Sequence, residues 1–498
     1  MKKARAWAVL MVVLAATALI RIRLISTPLE RDEGEYAYAG QLMLQGIPPY
    51  RLACNMKLPG TYAAYAAILR AFGQTTVAIH LGLLLVNAGA IVLIFLLGRK
   101  LFSTWAGLAA CAAYALMSLG AGVLGTQAHA THFVVLAALA GFWLLLRFED
   151  SGRGWKFLAS GLLFGIAFLM KQPGIVFGIF AAAYLAAMRR WRNLPVFLAG
   201  AAVPFAVTCL LLWRAGVFDR FWFWTFTYAS HYGTENSLRD GLAVLAATFG
   251  PILQRGFALW ALAAAGLWMA VRDRRFFVPA LLVFGFAGVC PGLYFRPHYV
   301  VLMLPAIALL AGSAVRGWLS AGIFVAALAI SLFLQWEVLF RMGPVDISRE
   351  LYGMEPFPEA IPVAAYIRDH TGPQDPIAVL GSEPEIYFYA HRHSATSYLY
   401  TEPMVEPQPF AQRMQDDMIA QLERNQPVYL VRFPIAETLS LGGESHLSEW
   451  WSEYGPKHYR LVGIADIMED GSSVYRWDAA AGSYQPHSLY HLAVYRRN

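Results

Sequence analysis

The stretch Leu29-Glu30-Arg31-Asp32-Glu33-Gly34-Glu35-Tyr36 places four carboxylates within six residues, directly after the first apolar segment of the chain. Residues 1–345 contain only eleven Asp or Glu, so more than a third of their acidic residues stand here. Carboxylates are costly to place where a membrane helix meets water. The stretch therefore indicates either the capped start of a helix or an acid or base that works at the membrane face.

The sequence around this stretch is typical of a polytopic membrane protein. Of its 498 residues, 58% are hydrophobic, and the mean hydropathy is +0.48. Apolar runs that approach the length of a bilayer span lie near residues 7–26, 77–98, 104–124, 131–147, 157–171, 173–188, 194–214, 247–271, 276–294, 298–315 and 317–340. We predict about eleven transmembrane helices, in which the fifth and sixth form either two spans or a re-entrant pair.

Charge divides the chain and predicts its orientation. Residues 1–345 carry 28 Lys or Arg against 11 Asp or Glu, whereas residues 346–498 carry 11 against 21. The basic clusters fall in alternate connections between spans, which marks that side as cytoplasmic. We therefore expect a protein of the inner (plasma) membrane with a cytoplasmic N-terminus and lipids as its surroundings. Nothing in this pattern indicates a nucleic-acid surface.

The composition changes after the last apolar run, which predicts two domains. Residues 1–340 would form the transmembrane domain, and residues 346–498 an extracytoplasmic (periplasmic) α/β domain of common size. Short apolar runs predict strands, and 3.6-residue periodicity predicts helices. The predicted strands are Pro376–Leu380, Val428–Val431 and His491–Tyr495, and the predicted helices are Pro362–Asp369 and Phe410–Arg424.

The first outward loop is predicted to carry two helices on the membrane surface, at 33–45 and Tyr62–Phe72. Asp32 and Glu35 have the spacing of a capping box, and anions at a helix N-terminus are stabilised by the helix dipole. Capping would explain Glu35, while Glu30 has no assigned role. The local pattern alone supports helix capping and a functional acid or base about equally.

An Asp-Glu pair after the first span, two surface helices and Lys57-Leu58-Pro59 together resemble the GT-C superfamily of polyprenyl-phosphate-dependent glycosyltransferases. The closest branches are the protein O-mannosyltransferase-like enzymes and the bacterial lipid A aminoarabinose and core galacturonic acid transferases. The resemblance covers residues 1 to about 340. It implies a GT-C membrane fold and a hexosyl- or pentosyltransferase. Such an enzyme would move a sugar from polyprenyl phosphate to a glycolipid, polysaccharide or protein in the cell envelope.

The resemblance also implies roles for individual residues. Asp32, with Glu33 beside it, matches the loop carboxylate that serves as base in an inverting displacement. The donor phosphate would be bound by cationic side chains that lie at the same membrane face. These are Lys57, Lys171, Arg296 and His298.

The residues leave the question of a metal open. Family members often have an acidic residue before the loop lysine, where this chain has Met56. His129 and His132 share a helix face but have no carboxylate near them in sequence, so we interpret them as ordinary loop residues. No cofactor is assigned, and a divalent metal remains a candidate.

Two other classes of function are weighed against glycosyl transfer. A lipid or polysaccharide transporter (flippase) predicts inverted repeats and charges near the bilayer midplane. The sequence shows no such repeats, and its charges gather at one face. A membrane-anchored binding protein whose C-terminal domain does the work would leave the carboxylates of the first loop unexplained.

Overall fold

The computed structural model describes residues 3–148, 154–233, 236–406, 408–434 and 445–498. Up to Phe333 these residues are almost entirely helical. The α-helices are α1 (Lys3–Arg23), α2 (Arg31–Leu44), α3 (Gly60–Phe72), α4 (Thr76–Leu101), α5 (Thr104–Met117), α6 (Ala130–Phe148), α7 (Gly154–Met170), α8 (Ile175–Ala187), α9 (Leu194–Arg214), α10 (Phe218–Trp222), α11 (Ala229–Tyr232), α12 (Leu238–Arg272), α13 (Phe277–Val289), α14 (Leu304–Ser313) and α15 (Trp318–Phe333).

Eleven apolar helices in the described ranges occupy the positions of the eleven predicted spans. Five of them, namely α1, α4, α6, α9 and α12, are long and apolar enough to cross a membrane by length and composition. The other six are apolar but have only 10–17 residues. The prediction of a polytopic α-helical membrane protein is confirmed. Four boundaries were wrong. The helix α12 begins at Leu238 rather than near 247, and a 3-10 turn at Pro297–Leu302 precedes α14. The helix α5 ends at Met117 rather than 124, and α15 ends at Phe333 rather than 340.

The chain reverses direction at Lys171, between α7 and α8. A Cβ on Gly174 would lie 2.2 Å from the carbonyl oxygen of Ala167, and a Cβ on Gly178 would lie 3.5 Å from the side chain of Phe164. From Gly174 to Gly178 the chain moves forward along α8, while the residues it contacts move backward along α7, from Ala167 to Phe164. The two helices therefore run antiparallel. Lys171 therefore stands at the tip of a helical hairpin.

The chain after Phe333 forms a π-helical turn at Glu337–Arg341 and then a small α/β unit, as predicted. Its elements are α16 (Pro344–Tyr352), α17 (Phe357–Asp369), β1 (Ile377–Leu380), α18 (Glu385–Ala390), α19 (Glu402–Val405), α20 (Ala411–Asn425), β2 (Tyr429–Arg432), α21 (His446–His458), β3 (Tyr459–Ile467), β4 (Ser473–Trp477), α22 (Ala479–Gly482) and β5 (His491–Arg497). The five strands have the order β1-β2-β5-β3-β4. Among the five strands of the described residues, β1 and β2 form the parallel pair, and both are largely buried, as expected for parallel strands.

The sequence pattern missed β3 and β4, which form an antiparallel pair at one edge of the sheet. β4 is half-exposed along its length, so it lacks the apolar run that identifies a buried strand. Its neighbour β3 contains Gly463, on which the ring of Trp477 packs. A glycine within a strand weakens the local strand signal because it has no side chain to pack.

The membrane helices and the α/β unit share one hydrophobic core around α2. A single cluster of buried side chains includes Tyr36 and Leu42 of α2, Val363 of α17, and Ile377 and Val379 of β1. The helix α2 therefore packs between the membrane helices and residues 346–498, which we call the C-terminal segment. The acidic stretch at the start of α2 therefore lies between these two parts of the protein.

Candidate active site

The first turn of α2 is capped by a pair of glutamates other than the pair that the sequence suggested. Glu30 is the N-cap, and its side chain accepts the backbone N–H of Glu33 at 2.9 Å. In return, Glu33 accepts the backbone N–H of Glu30 at 3.3 Å, which completes a capping box. The prediction that Asp32 and Glu35 form the capping box was wrong. Because Glu30 and Glu33 satisfy the helix start, Asp32 and Glu35 are left for other contacts.

Asp32 is paired with a lysine from the first loop. The Nζ atom of Lys57 donates to Oδ1 of Asp32 at 2.5 Å and to Oε2 of Glu35 at 2.7 Å. Burial alone would raise the pKa of Asp32, but the attraction of Lys57 and of the nearby imidazoles outweighs it. The pKa of Asp32 therefore lies well below its ordinary value. The same two carboxylates hold the pKa of Lys57 well above its ordinary value, although burial acts in the opposite direction.

Two histidines face the other oxygen of Asp32. Nδ1 of His129 lies 3.8 Å and Nε2 of His298 lies 3.9 Å from Oδ2 of Asp32. The two imidazole rings stack in parallel with their centroids 4.1 Å apart. Lys171, at the tip of the helical hairpin, brings its Nζ to 3.3 Å from Nε2 of His298 and lies over the ring of Tyr299.

The predicted phosphate-binding residues surround one cavity. Its volume is about 410 Å³, and it lies between the membrane helices and the C-terminal segment. Asp32 and His129 line it. So do the four cationic or imidazole side chains predicted from the sequence, namely Lys57, Lys171, Arg296 and His298. The C-terminal segment supplies a second, acidic part of the wall: Glu355, Glu402 and Glu406. The cavity therefore offers cationic groups that suit an anion as well as carboxylates that do not.

Glu33 does not reach this cavity, although it neighbours Asp32 in sequence. Its carboxylate is fully buried and is not among the groups that line the cavity. It accepts the backbone N–H of Ala128 at 2.6 Å and faces Nε2 of His80 at 3.1 Å. Glu33 thus fixes α2 against α4 and the loop before α6, and it holds Asp32 in place without touching the cavity.

Glu35 was underestimated from the sequence. It is completely buried and accepts hydrogen bonds from Asn55 at 2.7 Å, from Lys57, from the hydroxyl of Tyr62 and from the hydroxyl of Tyr400 at 2.6 Å. Residues three apart lie on the same face of a helix, and Glu35 follows Asp32 by three residues. This spacing was the signal that could have identified Glu35 as a site residue. Glu35 and Asp32 together hold Lys57 from two sides.

His129 was also misjudged, because its carboxylate partners are distant in sequence. Its Nδ1 lies 3.6 Å from Oε1 of Glu30 as well as near Asp32. The interpretation of His129 as an ordinary loop residue was therefore wrong. His132, three residues later, is buried away from the cavity and has no hydrogen bond to other described residues. Only one of the two histidines therefore belongs to the site.

Asp32, His129 and His298 also form a group that fits a metal ion by ligand type. One ligand atom from each lies within 4.8 Å of the others, and a carboxylate with two imidazoles suits a transition metal such as zinc. The ammonium groups of Lys57 and Lys171 already contact two of these three ligands. An ion would thus compete with two lysines for Asp32 and His298.

The bundle of apolar helices, the loop carboxylate and the α/β unit that covers the site define a class, the multi-pass membrane proteins with the GT-C fold. Residues 57–213 match the family described as dolichyl-phosphate-mannose-protein mannosyltransferase. The comparison with curated proteins gives no significant match. The chain is similar to the crystal structure of ArnT from Cupriavidus metallidurans bound to undecaprenyl phosphate. The TM-score is 0.61 at 17% identity, and 97% of each chain is covered.

Two further structures share the fold. The oligosaccharyltransferase of Archaeoglobus fulgidus, tethered with an acceptor peptide, aligns with a TM-score of 0.54 at 15% identity, over 96% of this chain and 74% of that one. The arabinofuranosyltransferase AftD from Mycobacteria aligns with a TM-score of 0.52 at 16% identity, over 99% of this chain but 40% of its own. These likenesses confirm the predicted GT-C fold.

Proposed function

We propose that this protein is a membrane glycosyltransferase that moves a sugar from a polyprenyl-phosphate donor to a hydroxyl group of an acceptor. The observation that carries the proposal is the cavity in which Asp32 faces Lys57, Lys171 and Arg296. A carboxylate can accept the acceptor's proton, and the cations can bind the phosphate that leaves. The similarity to an ArnT structure that contains undecaprenyl phosphate supports a donor of this kind.

Asp32 is the proposed general base. Its lowered pKa keeps it ionised at neutral pH, so it is always ready to accept a proton. A weakly basic carboxylate takes the hydroxyl proton only as the oxygen bonds to the anomeric carbon, because the hydroxyl becomes acidic at that stage. The new bond forms while the bond between the anomeric carbon and the phosphate oxygen breaks. One displacement of this type inverts the anomeric configuration.

The leaving group is a phosphate monoester, whose growing charge needs fixed cations. Lys171 and His298 lie next to each other on the same side of the cavity, and Arg296 offers a guanidinium suited to bidentate binding of phosphate. Lys57 has three N–H donors and uses two of them on carboxylates. Its third donor can point towards the phosphate.

The distribution of charge supports an extracytoplasmic site. Clusters such as Arg189-Arg190 and Arg272 with Arg274 and Arg275 follow one end of the membrane helices, as the positive-inside rule requires for the cytoplasmic side. The cavity and the C-terminal segment would then lie outside the cytoplasm, where a glycolipid, polysaccharide or protein acceptor is available.

The proposal is tested with purified protein in liposomes that contain labelled polyprenyl-phosphate sugars and candidate acceptors. The wild type should transfer label, and Asp32→Asn should reduce turnover by roughly a hundredfold or more, as expected for loss of a general base. The matched control is Asp219→Asn, since Asp219 is an exposed aspartate of α10. We expect this control to retain wild-type turnover.

Two results would overturn the proposal in different ways. Full transfer by Asp32→Asn would remove Asp32 as the base. No transfer by the wild type with every donor, accompanied by movement of labelled lipid between leaflets, would favour the flippase alternative.

A further inference from the structure

The C-terminal segment contacts α2, which carries the proposed base, from end to end. These contacts are direct hydrogen bonds between groups that are hundreds of residues apart in sequence. They join Leu29 N to Tyr389 at 2.9 Å, Arg31 to Ser382 O at 2.9 Å, Glu35 to Tyr400 at 2.6 Å, Tyr38 to Ser394 N at 2.7 Å, Gln41 to His391 at 2.7 Å and Gln45 to His393 at 2.6 Å. One side of α2 therefore packs against this segment along its whole length.

The first turn of α2 is held most closely. Arg31 pairs with Glu355 at 2.9 Å, and its other guanidinium nitrogen lies 3.9 Å from Glu402. Gly34 packs so tightly on the C-terminal segment that a Cβ there would lie 2.6 Å from the backbone nitrogen of Glu385. Only glycine permits this approach. Contacts at Arg31 and Gly34, which flank Asp32 in sequence, therefore fix the distance between α2 and the C-terminal segment.

Tyr400 is the one residue of the C-terminal segment, among those described, that touches the buried pair of Glu35 and Lys57. Its hydroxyl donates to Oε2 of Glu35, the same oxygen that accepts from Lys57 and from Asn55. Its ring lies with its centroid 5.8 Å from Nζ of Lys57. Tyr400 also lines the cavity. It thus contacts both the carboxylate and the cation that set the state of Asp32.

We propose that Tyr400 is a positioning residue for the transfer reaction, and that it acts by sharing Glu35 with Lys57. The inference rests on the glycosyltransferase function proposed above. The hydroxyl of Tyr400 offsets part of the charge on Glu35, so Lys57 stays between Glu35 and Asp32 instead of moving to Glu35. Without the hydroxyl, Glu35 draws the ammonium group closer, and Asp32 loses part of its partner.

The test compares Tyr400→Phe with Tyr398→Phe in the full-length protein. Tyr398 is a buried tyrosine two residues away whose hydroxyl donates to Asp417 at 2.9 Å and does not line the cavity. Tyr400→Phe should lower kcat about tenfold, because Lys57 and Asp32 are displaced from their working geometry. Tyr398→Phe should leave kcat at the wild-type value.

The pH profile distinguishes positioning from loss of folded protein. Tyr400→Phe should move the acid limb of kcat/KM to higher pH by about half a unit, because Asp32 binds its proton more tightly when Lys57 withdraws. A smaller folded fraction lowers the whole profile without moving it. Several charged and titratable groups lie around Asp32, and Glu35 acts on it through the Lys57 that they share. The others are Glu30, Lys57, His129, Lys171, His298, Tyr36, Tyr65, Tyr352 and Tyr400.

A second readout needs neither donor nor transfer. A water-soluble carbodiimide activates carboxyl groups, and an added amine, glycine ethyl ester, then forms an amide with them. Peptide mass spectrometry gives the ratio of the glycine ethyl ester adduct at Asp32 to the same adduct at exposed Asp219. Tyr400→Phe should raise this ratio roughly fivefold, because Asp32 loses part of its pairing with Lys57. Glu35→Gln should lower the ratio, because Lys57 then has only Asp32 as a charged partner. Tyr398→Phe should not change it.

The two readouts separate failure of this inference from failure of the proposed function. A wild type that transfers no sugar removes the glycosyltransferase proposal, and the carbodiimide ratios still test the role of Tyr400. Equal ratios in wild type and Tyr400→Phe would overturn the inference. If Tyr400→Phe does not fold, a ratio in Glu35→Gln that equals or exceeds the wild-type ratio would overturn it.

Discussion

Removal of Glu35 should be more damaging than removal of any exposed glutamate. The carboxylate is completely buried and accepts hydrogen bonds from Asn55, Lys57, Tyr62 and Tyr400. Alanine at this position removes the acceptor of four donors, of which Asn55 and Tyr62 are buried and Lys57 and Tyr400 are partly buried. Each unsatisfied buried donor costs about 1–3 kcal/mol.

Two of the four donors have other partners, and this limits the loss. Lys57 keeps Asp32, and the Tyr400 hydroxyl lies 3.3 Å from the backbone oxygen of Arg31. Asn55 and Tyr62 have no such substitute among the hydrogen bonds of their side chains in the described chain. We expect Glu35→Ala to lower the free energy of unfolding by about 3–5 kcal/mol, the range for breaking a buried charged pair.

Glu35→Gln should cost less stability but still impair turnover. Glutamine keeps an oxygen acceptor and the same shape, so about 1–2 kcal/mol should be lost. Without the charge of Glu35, Lys57 pairs with Asp32 alone, and Asp32 becomes an even weaker base. We therefore expect turnover to fall about tenfold.

Thermal unfolding in detergent and sugar transfer in liposomes measure the two effects separately. The control is Glu337→Ala, since the side chain of Glu337 is 60% exposed and forms a surface pair with Arg341. The reasoning fails if Glu35→Ala is as stable as Glu337→Ala, or if Glu35→Gln and Glu35→Ala unfold at the same temperature.

Three further predictions follow from the same contacts. Gly34→Ala should destabilise the protein by about 1–3 kcal/mol through overpacking against the C-terminal segment; Gly322→Ala, where the new Cβ meets open space, should have little effect in the same thermal assay. Burial raises the pKa of Glu383 to about 8, so the folded protein binds its proton more tightly than the unfolded chain. Thermal stability should therefore fall as pH rises from about 4.5 to 8, and Glu383→Gln should flatten this slope. Lys171→Ala should weaken binding of polyprenyl phosphate roughly tenfold in a liposome assay, whereas Lys100→Ala, at the opposite end of the bundle, should not.

The sequence predicted the membrane helices well because each span records its environment in a continuous apolar run. Lys57, Lys171, Arg296 and His298 were identified through the resemblance to the GT-C family, and the alternation of spans placed them at one predicted membrane face. Only the structure shows that all four line one cavity. The strand β4 could not be found in this way, since its residues are half-exposed.

The errors within the acidic stretch have a common physical cause. Capping boxes were assigned from spacing, and both Glu30 with Glu33 and Asp32 with Glu35 satisfy that spacing. Only the placement of the helix start decides between them. His129 was dismissed because its carboxylate partners, Glu30 and Asp32, belong to a different loop.

The sequence by itself thus determined that the chain has about eleven apolar helices, that its cationic residues gather at one face, and that the acidic stretch begins a helix. Only the tertiary structure decided which of the four carboxylates caps the helix, which faces the cavity and which binds Lys57. In that structure Glu30 and Glu33 cap the helix, Asp32 faces the cavity and Glu35 holds Lys57. Local sequence encodes hydrophobicity and helical period, whereas the environment of a carboxyl group depends on partners such as Tyr400 that lie far along the chain.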